Sequence, residues 1–129
     1  MREGETLINI DSRSGKPIYE QIIEKIKENI IKGILKPGDK LPSVRELASL
    51  ITINPNTISK AYNELERMKA IEVLRGKGTF VVENFKPIMN EEKMKEIKEN
   101  MKKIIIEAHY IGVDKDKLTD ILNDIYSQF

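Results

Sequence analysis

The stretch from Leu41 to Val82, LPSVRELASLITINPNTISKAYNELERMKAIEVLRGKGTFVV, leaves the fewest ways to fold. Ser43 followed by Glu46 has capping-box spacing, which starts a helix by satisfying two otherwise orphaned backbone donors. Leu47, Leu50 and Ile51 then share one helical face. Thr52, Asn54 and Pro55 make poor helix interiors, and Pro55 pushes Asn54 out of the helical region, so this helix ends near Ile51. A second helix starts near Asn56. Its apolar positions, Ile58, Ala61, Tyr62, Leu65 and Met68, recur at three- and four-residue steps. Asn56, Lys60, Asn63 and Arg67 line the opposite face. Two short helices with so tight a turn, the second carrying amide and basic groups outward, form a helix-turn-helix. In that arrangement the second helix enters the DNA major groove and its N-terminal residues meet base edges.

The residues that follow add a second signal. Ile71, Val73 and Leu74 precede Arg75-Gly76-Lys77-Gly78, and Thr79 to Val82 come after. Two β-rich runs around a glycine-containing turn predict a hairpin. Arg75 and Lys77 at its tip stand where a wing meets phosphates or the minor groove. Arg45, early in the first motif helix, can reach phosphates with its guanidinium fork.

These features resemble the winged helix-turn-helix domain of GntR-type transcription regulators, in their YtrA-like branch. The matching segments are Pro17-Ile18-Tyr19 with Gln21-Ile22, then the run Pro37 to Ala48 (PGDKLPSVRELA), then Asn54-Pro55-Asn56-Thr57. Lys60-Ala61-Tyr62 with Leu65-Glu66, and Arg75 to Val81 (RGKGTFV), complete the match. The likeness spans roughly residues 5 to 85, and the short helical tail agrees in size and character. It implies that Ser43, Asn54, Thr57, Gly78 and Thr79, inside these segments, belong with Arg45, Asn56, Lys60, Asn63, Arg67, Arg75 and Lys77 in a DNA-contacting set. Ser59, beside Lys60, is counted with them. One position departs: the family usually has glycine where Thr52 stands. A β-branched residue there costs on the order of 1–3 kcal/mol if its φ is positive.

Elsewhere the chain reads as packing and assembly. At 129 residues it is one ordinary domain, or a small one with an appendage. Leu7 to Ile10 form a short β-like run that adds a strand or packs beside the first helix. Pro17 suits a helix start, after which Ile18, Ile22, Ile26, Ile30 and Ile34 repeat every four residues. Ile23 and Ile31 widen that stripe, Gly33 weakens its end, and Lys36-Pro37-Gly38-Asp39 closes it. Beyond Pro87, Met94, Ile97, Met101, Ile104, Ala108 and Ile111 alternate by three and four, an a/d seam. Gly112 is the expected C-cap. Asp114 then caps a last helix carrying Leu118, Ile121, Leu122, Ile125, Tyr126 and Phe129. Two such helices make an αα-hairpin whose own core is thin, so it needs a partner surface.

The fold class expected is therefore mainly α with a small β wing (α+β): a winged helix-turn-helix over residues 1–86 and a C-terminal two-helix hairpin over 87–129. Residues 1–86 hold 15 Lys/Arg and 12 Asp/Glu, while 87–129 hold 7 and 9. A positive front half and negative tail favour nucleic acid at the front, although the whole chain carries only +1. With no cysteine, disulfides and thiolate metal sites are excluded. The lone His109 has no clustered ligand partners and reads as a packing or surface residue. No Ser/His/Asp or Cys/His set can be assembled, and Gly76-Lys77-Gly78 is too short for a phosphate loop. Asp114 and Asp116 lack the later ligands of a calcium loop. An enzyme, a cofactor and a metal are accordingly not expected. The chain has no signal-peptide core or membrane-length apolar run, which makes the cytoplasm the default location.

The bland alternatives are a solvated face at Asn56, Lys60 and Arg67, a soluble turn at Lys77, and a carboxylate partner for Arg45. The leading functional reading is a sequence-specific, dimeric DNA-binding regulator of a palindromic duplex operator. The alternative is a winged-helix module that meets protein instead of DNA. Met94, Ile97, Met101, Ile104, Ala108, Ile111, Leu118, Ile121, Leu122, Ile125 and Phe129 are the expected homodimer contacts. The resemblance further implies a repressor of a transporter or stress-response operon. A tail of 43 residues is too short to enclose an effector unaided, so any effector, of unknown identity, would bind between subunits.

Overall fold

The structure, a computed structural model, describes residues 8–129. It divides into two compact units, one ending at Phe85 and one spanning Lys86–Phe129.

The front unit begins with Ile8 to Ile10, which is not a strand; Leu7 lies outside the described residues. Ile8 is buried and Ile10 packs on the core. Gln21 holds this segment in place: its Oε1 accepts from the Asp11 amide at 2.8 Å, and its Nε2 donates to the Asp11 carbonyl at 3.0 Å. Helix α1 (Ile18–Ile31) buries Ile22, Ile23 and Ile26. Its expected stripe does not run to the end, because Ile31 is 64 % and Ile34 55 % exposed. Gly33 turns left-handed (φ 76°), the Ile34 and Leu35 amides close on the Asn29 carbonyl, and Leu35 enters the core where Ile34 was expected. Lys36 to Asp39 thus follow the helix end and do not make it.

Strand β1 (Lys40–Leu41) leads into helix α2 (Val44–Ile51), helix α3 (Pro55–Arg67) and the hairpin β2 (Ile71–Leu74) and β3 (Gly78–Val81). The antiparallel sheet has the order β1-β3-β2. β3 pairs Val81 with Ile71 and Gly78 with Leu74 on one side, and Phe80 with Lys40 on the other. The two-residue β1 is an element that sequence alone does not announce. Ile22, Ile26, Leu47, Ile58, Leu65, Ile71 and Val81, drawn from α1, α2, α3 and the sheet, are fully buried together. Burying one such side chain stabilises by roughly 1.5–3 kcal/mol. This shared core fixes the face of α3 that remains outside.

The second unit holds helices α4 (Glu91–Tyr110) and α5 (Lys115–Tyr126). Asn90 caps α4, its Oδ1 accepting from the Lys93 amide at 3.0 Å, and Asp114 caps α5 through the Lys117 amide at 2.9 Å. Gly112 (φ 77°) closes α4 after Ile111, which lies past the helix end and is 78 % exposed instead of continuing the seam. Ala108 is this unit's one buried hydrophobic residue.

Candidate nucleic-acid interface

The cap expected at Ser43 is present. Its Oγ accepts from the Glu46 amide at 3.1 Å, and Glu46 Oε1 accepts from the Ser43 amide at 3.4 Å. Ser43 is therefore committed to starting α2. Arg45, in the first turn of α2, is exposed and makes no ion pair among the described residues. The buried Tyr62 of α3 donates its hydroxyl to the Pro42 carbonyl at 2.7 Å, tying α3 to the start of α2. Burial pushes that phenol's pKa up, and the Glu46 carboxylate adds to the shift, so it stays a donor.

Between the helices, Thr52 takes φ 56°, the left-handed conformation that glycine usually supplies. The Ile53 amide closes on the Ala48 carbonyl at 3.0 Å, so the turn geometry is kept and Thr52 carries the strain. Lys69, just past α3, has φ 63°, and the Ala70 amide closes on the Leu65 carbonyl in the same way. The helix α3 is thus bracketed by two left-handed residues that are not glycine. Asn54 opens it, its Oδ1 accepting from the Asn56 amide at 2.8 Å, with Pro55 at the first helical position. Like Ser43, Asn54 acts through the backbone.

The helix α3 buries Ile58, Ala61, Tyr62 and Leu65 and leaves Asn56, Lys60, Asn63 and Arg67 exposed, while Thr57 and Ser59 are half-buried. Two of the four exposed residues are engaged. Arg67 pairs with Glu64, whose carboxylate raises the guanidinium's pKa further. The Lys60 ammonium lies 3.9 Å from the centre of the Tyr19 ring on α1, a cation–π contact. Neither appears in the face pattern of α3. The first is a local pair three residues apart that the sequence did offer, and the second joins residues 41 apart in the chain.

At the wing, the Lys77 amide donates to the Leu74 carbonyl at 2.9 Å and Gly76 takes φ 76°. Arg75 and Lys77 are exposed at this tip, and neither makes an ion pair among the described residues. Gly78 (φ 128°) and Thr79 open β3, with Thr79 half-buried between Leu41 and Val73. One unit thus presents an amide-rich helix face together with a basic hairpin tip.

The hairpin of α4 and α5 forms an open apolar groove of about 790 Å³. Met101, Ile104, Leu118, Ile121, Leu122 and Ile125 of the expected contact set line it; Met94, Ile97, Ala108, Ile111 and Phe129 do not. Ile105, missed by the seam pattern, lines it too; the run Ile104-Ile105-Ile106 was the available signal. His109 borders this groove and meets Tyr110 edge to face at 5.9 Å between ring centres. Among the described residues, no group of three or more His, Cys, Asp or Glu is placed to hold a metal ion, and no helix is long and apolar enough to cross a membrane.

Comparison with known proteins agrees with this geometry. The model of the bacterial regulatory proteins of the gntR family matches residues 18–81. The HTH-type transcriptional repressor YtrA of Bacillus subtilis (strain 168) is 59 % identical over 119 residues, covering 92 % of each chain. A crystal structure described as a transcriptional antiterminator from Listeria monocytogenes EGD-e superposes with a TM-score of 0.81 at 43 % identity, over 93 % of this chain and 89 % of that one. The DNA-binding domain of AraR in complex with operator ORX1 gives a TM-score of 0.52 at 28 % identity, over 58 % of this chain and 94 % of that one. The chain therefore belongs to the gntR family of bacterial regulatory proteins, in its YtrA-like branch, and is a transcription regulator rather than an enzyme.

Proposed function

We propose that this protein is a dimeric, cytoplasmic repressor that binds a two-fold symmetric duplex operator. The observation that carries this reading is the juxtaposition of α3, with Asn56, Lys60 and Asn63 outward, and the exposed Arg75 and Lys77 of the wing. A helix face that can meet base edges and a basic tip that can meet phosphates are the two parts a winged reader of DNA needs. The operator complex of the AraR domain supports duplex DNA as the ligand, and the name of the Bacillus relative supports repression. Arg45 and Lys77 position the protein on phosphates, and Lys60 reads a base. Ser43 and Asn54 act by shaping the backbone around them.

The second unit supplies the dimer. Met101 is 49 %, Ile104 55 % and Leu122 47 % exposed along one groove, and a second copy of the hairpin would cover them in a four-helix bundle. Pairing is also what one recognition helix needs, since it spans only a few base pairs. The genes under control are of the transporter or stress-response kind that the YtrA-like resemblance implies, and any effector binds between subunits. Footprinting on duplexes selected from a random pool tests the reading. Two inverted half-sites are expected; a single unrepeated half-site, or no protection, overturns it.

A further inference from the structure

Lys40 lies in the run Pro37 to Ala48 but is not among the residues expected to contact DNA; the sheet carries it to the wing. It pairs with Phe80 across the β1–β3 ladder, so its side chain shares a sheet face with Phe80 and, one step along β3, with Gly78. A Cβ built on Gly78 would lie 2.8 Å from Lys40 Cε and 3.5 Å from Lys40 Nζ. The lysine stem therefore crosses the space that a side chain at position 78 would fill, and its ammonium comes to rest beside the residue that follows Lys77. Lys40 is exposed and makes no ion pair among the described residues. A solvated ammonium with no carboxylate to hold it, beside the strand that follows Arg75 and Lys77, is available to an anion that reaches the wing.

We infer that Lys40 is a third phosphate-contacting cation of the wing. This rests on the duplex-binding reading above. Each phosphate contact releases condensed counterions, so one lost contact removes about 0.9 from the slope of log affinity against log salt.

The test compares wild-type protein with Lys40→Gln, Lys40→Arg and Lys77→Gln, each titrated with a selected and a random duplex at several salt concentrations. Lys40→Gln should weaken both duplexes alike and flatten the slope by about 0.9, so a fourfold rise in salt narrows the wild-type-to-variant affinity ratio by about 3.5-fold. Lys40→Arg should restore the slope, which a merely structural role of the lysine stem would not predict. If Lys77→Gln flattens the slope and Lys40→Gln does not, the inference fails while duplex binding stands. A loss in Lys40→Gln confined to the selected duplex would overturn it as well, because that is base reading. Wild-type protein without salt-dependent duplex binding would sink the underlying reading and this inference with it.

Discussion

The two units are built from equally periodic sequence and end in opposite states. Among the described residues of the front unit, seven large side chains are fully buried. In the second, α5 buries none, and Ile121, Leu122 and Ile125 stay 40–47 % exposed. The difference is the number of directions from which apolar surface arrives. Around Ile58 and Leu65, α1, α2 and the sheet converge on α3. Around Met101 and Ile104 only two helices meet, and two cylinders cannot enclose each other's stripes. Periodicity announces that a face will be buried; whether the same chain buries it depends on how many elements share the core.

The sharpest way to break this contrast is Met101→Asp. The side chain is half exposed in one chain, so the hairpin tolerates it, but a paired hairpin would bury an unpartnered charge at several kcal/mol per subunit. Sedimentation should show monomers whose front unit melts as before and whose affinity for the full operator has collapsed. A tight dimer would place the interface elsewhere, with the exposed Ile31 at the end of α1 and Ile34 just beyond it the next surface to probe.

Truncation sharpens the same contrast. Leu65→Ala leaves a cavity in a closed core and should cost about 2–5 kcal/mol by denaturant unfolding at any protein concentration. Ile104→Ala, 55 % exposed in one chain, should leave the front unit's unfolding unchanged and act only through concentration-dependent assembly. Identical behaviour of the two variants would show that the units do not differ as described.

Within the front unit, Lys60→Ala should change base preference at one operator position by about 1–3 kcal/mol. Equal losses on specific and random duplexes would instead make Lys60 a phosphate contact or a tether to Tyr19. Smallest is Thr52→Gly, which releases the left-handed strain and should raise the front unit's stability by about 1 kcal/mol, read as a shift in denaturant midpoint. A fall in stability would mean that the threonine side chain contributes more than its backbone costs.

Much of this was legible from local chemistry. The Ser43–Glu46 box, the inner face of α3 and the glycine-tipped hairpin all depend on neighbours within a few residues. The misses share another cause. The four-residue isoleucine repeat packs on the core through Ile30, and Ile34 falls outside it because α1 ends at Ile31 and Gly33 turns the chain, which the spacing of the isoleucines does not show. The strand β1 has two residues, too few to show alternation, and exists because β3 has an edge to offer. The approach of Lys60 to Tyr19 and of Lys40 to Gly78 joins distant positions, which only the closed fold brings together.

The bond from Tyr62 to the Pro42 carbonyl sets an alkaline limit on the whole reading head. Buried and near Glu46, this phenol has a folded pKa raised above the ordinary 10.0. A raised folded value means the contribution is complete below the unfolded pKa and fades as pH climbs towards the folded one. Above about pH 10 the unfolded chain gains by releasing a proton that the folded chain must keep. Strong base should therefore loosen α3 from α2. The ultraviolet signature of the Tyr62 phenolate should arrive together with the loss of helix, as a single event.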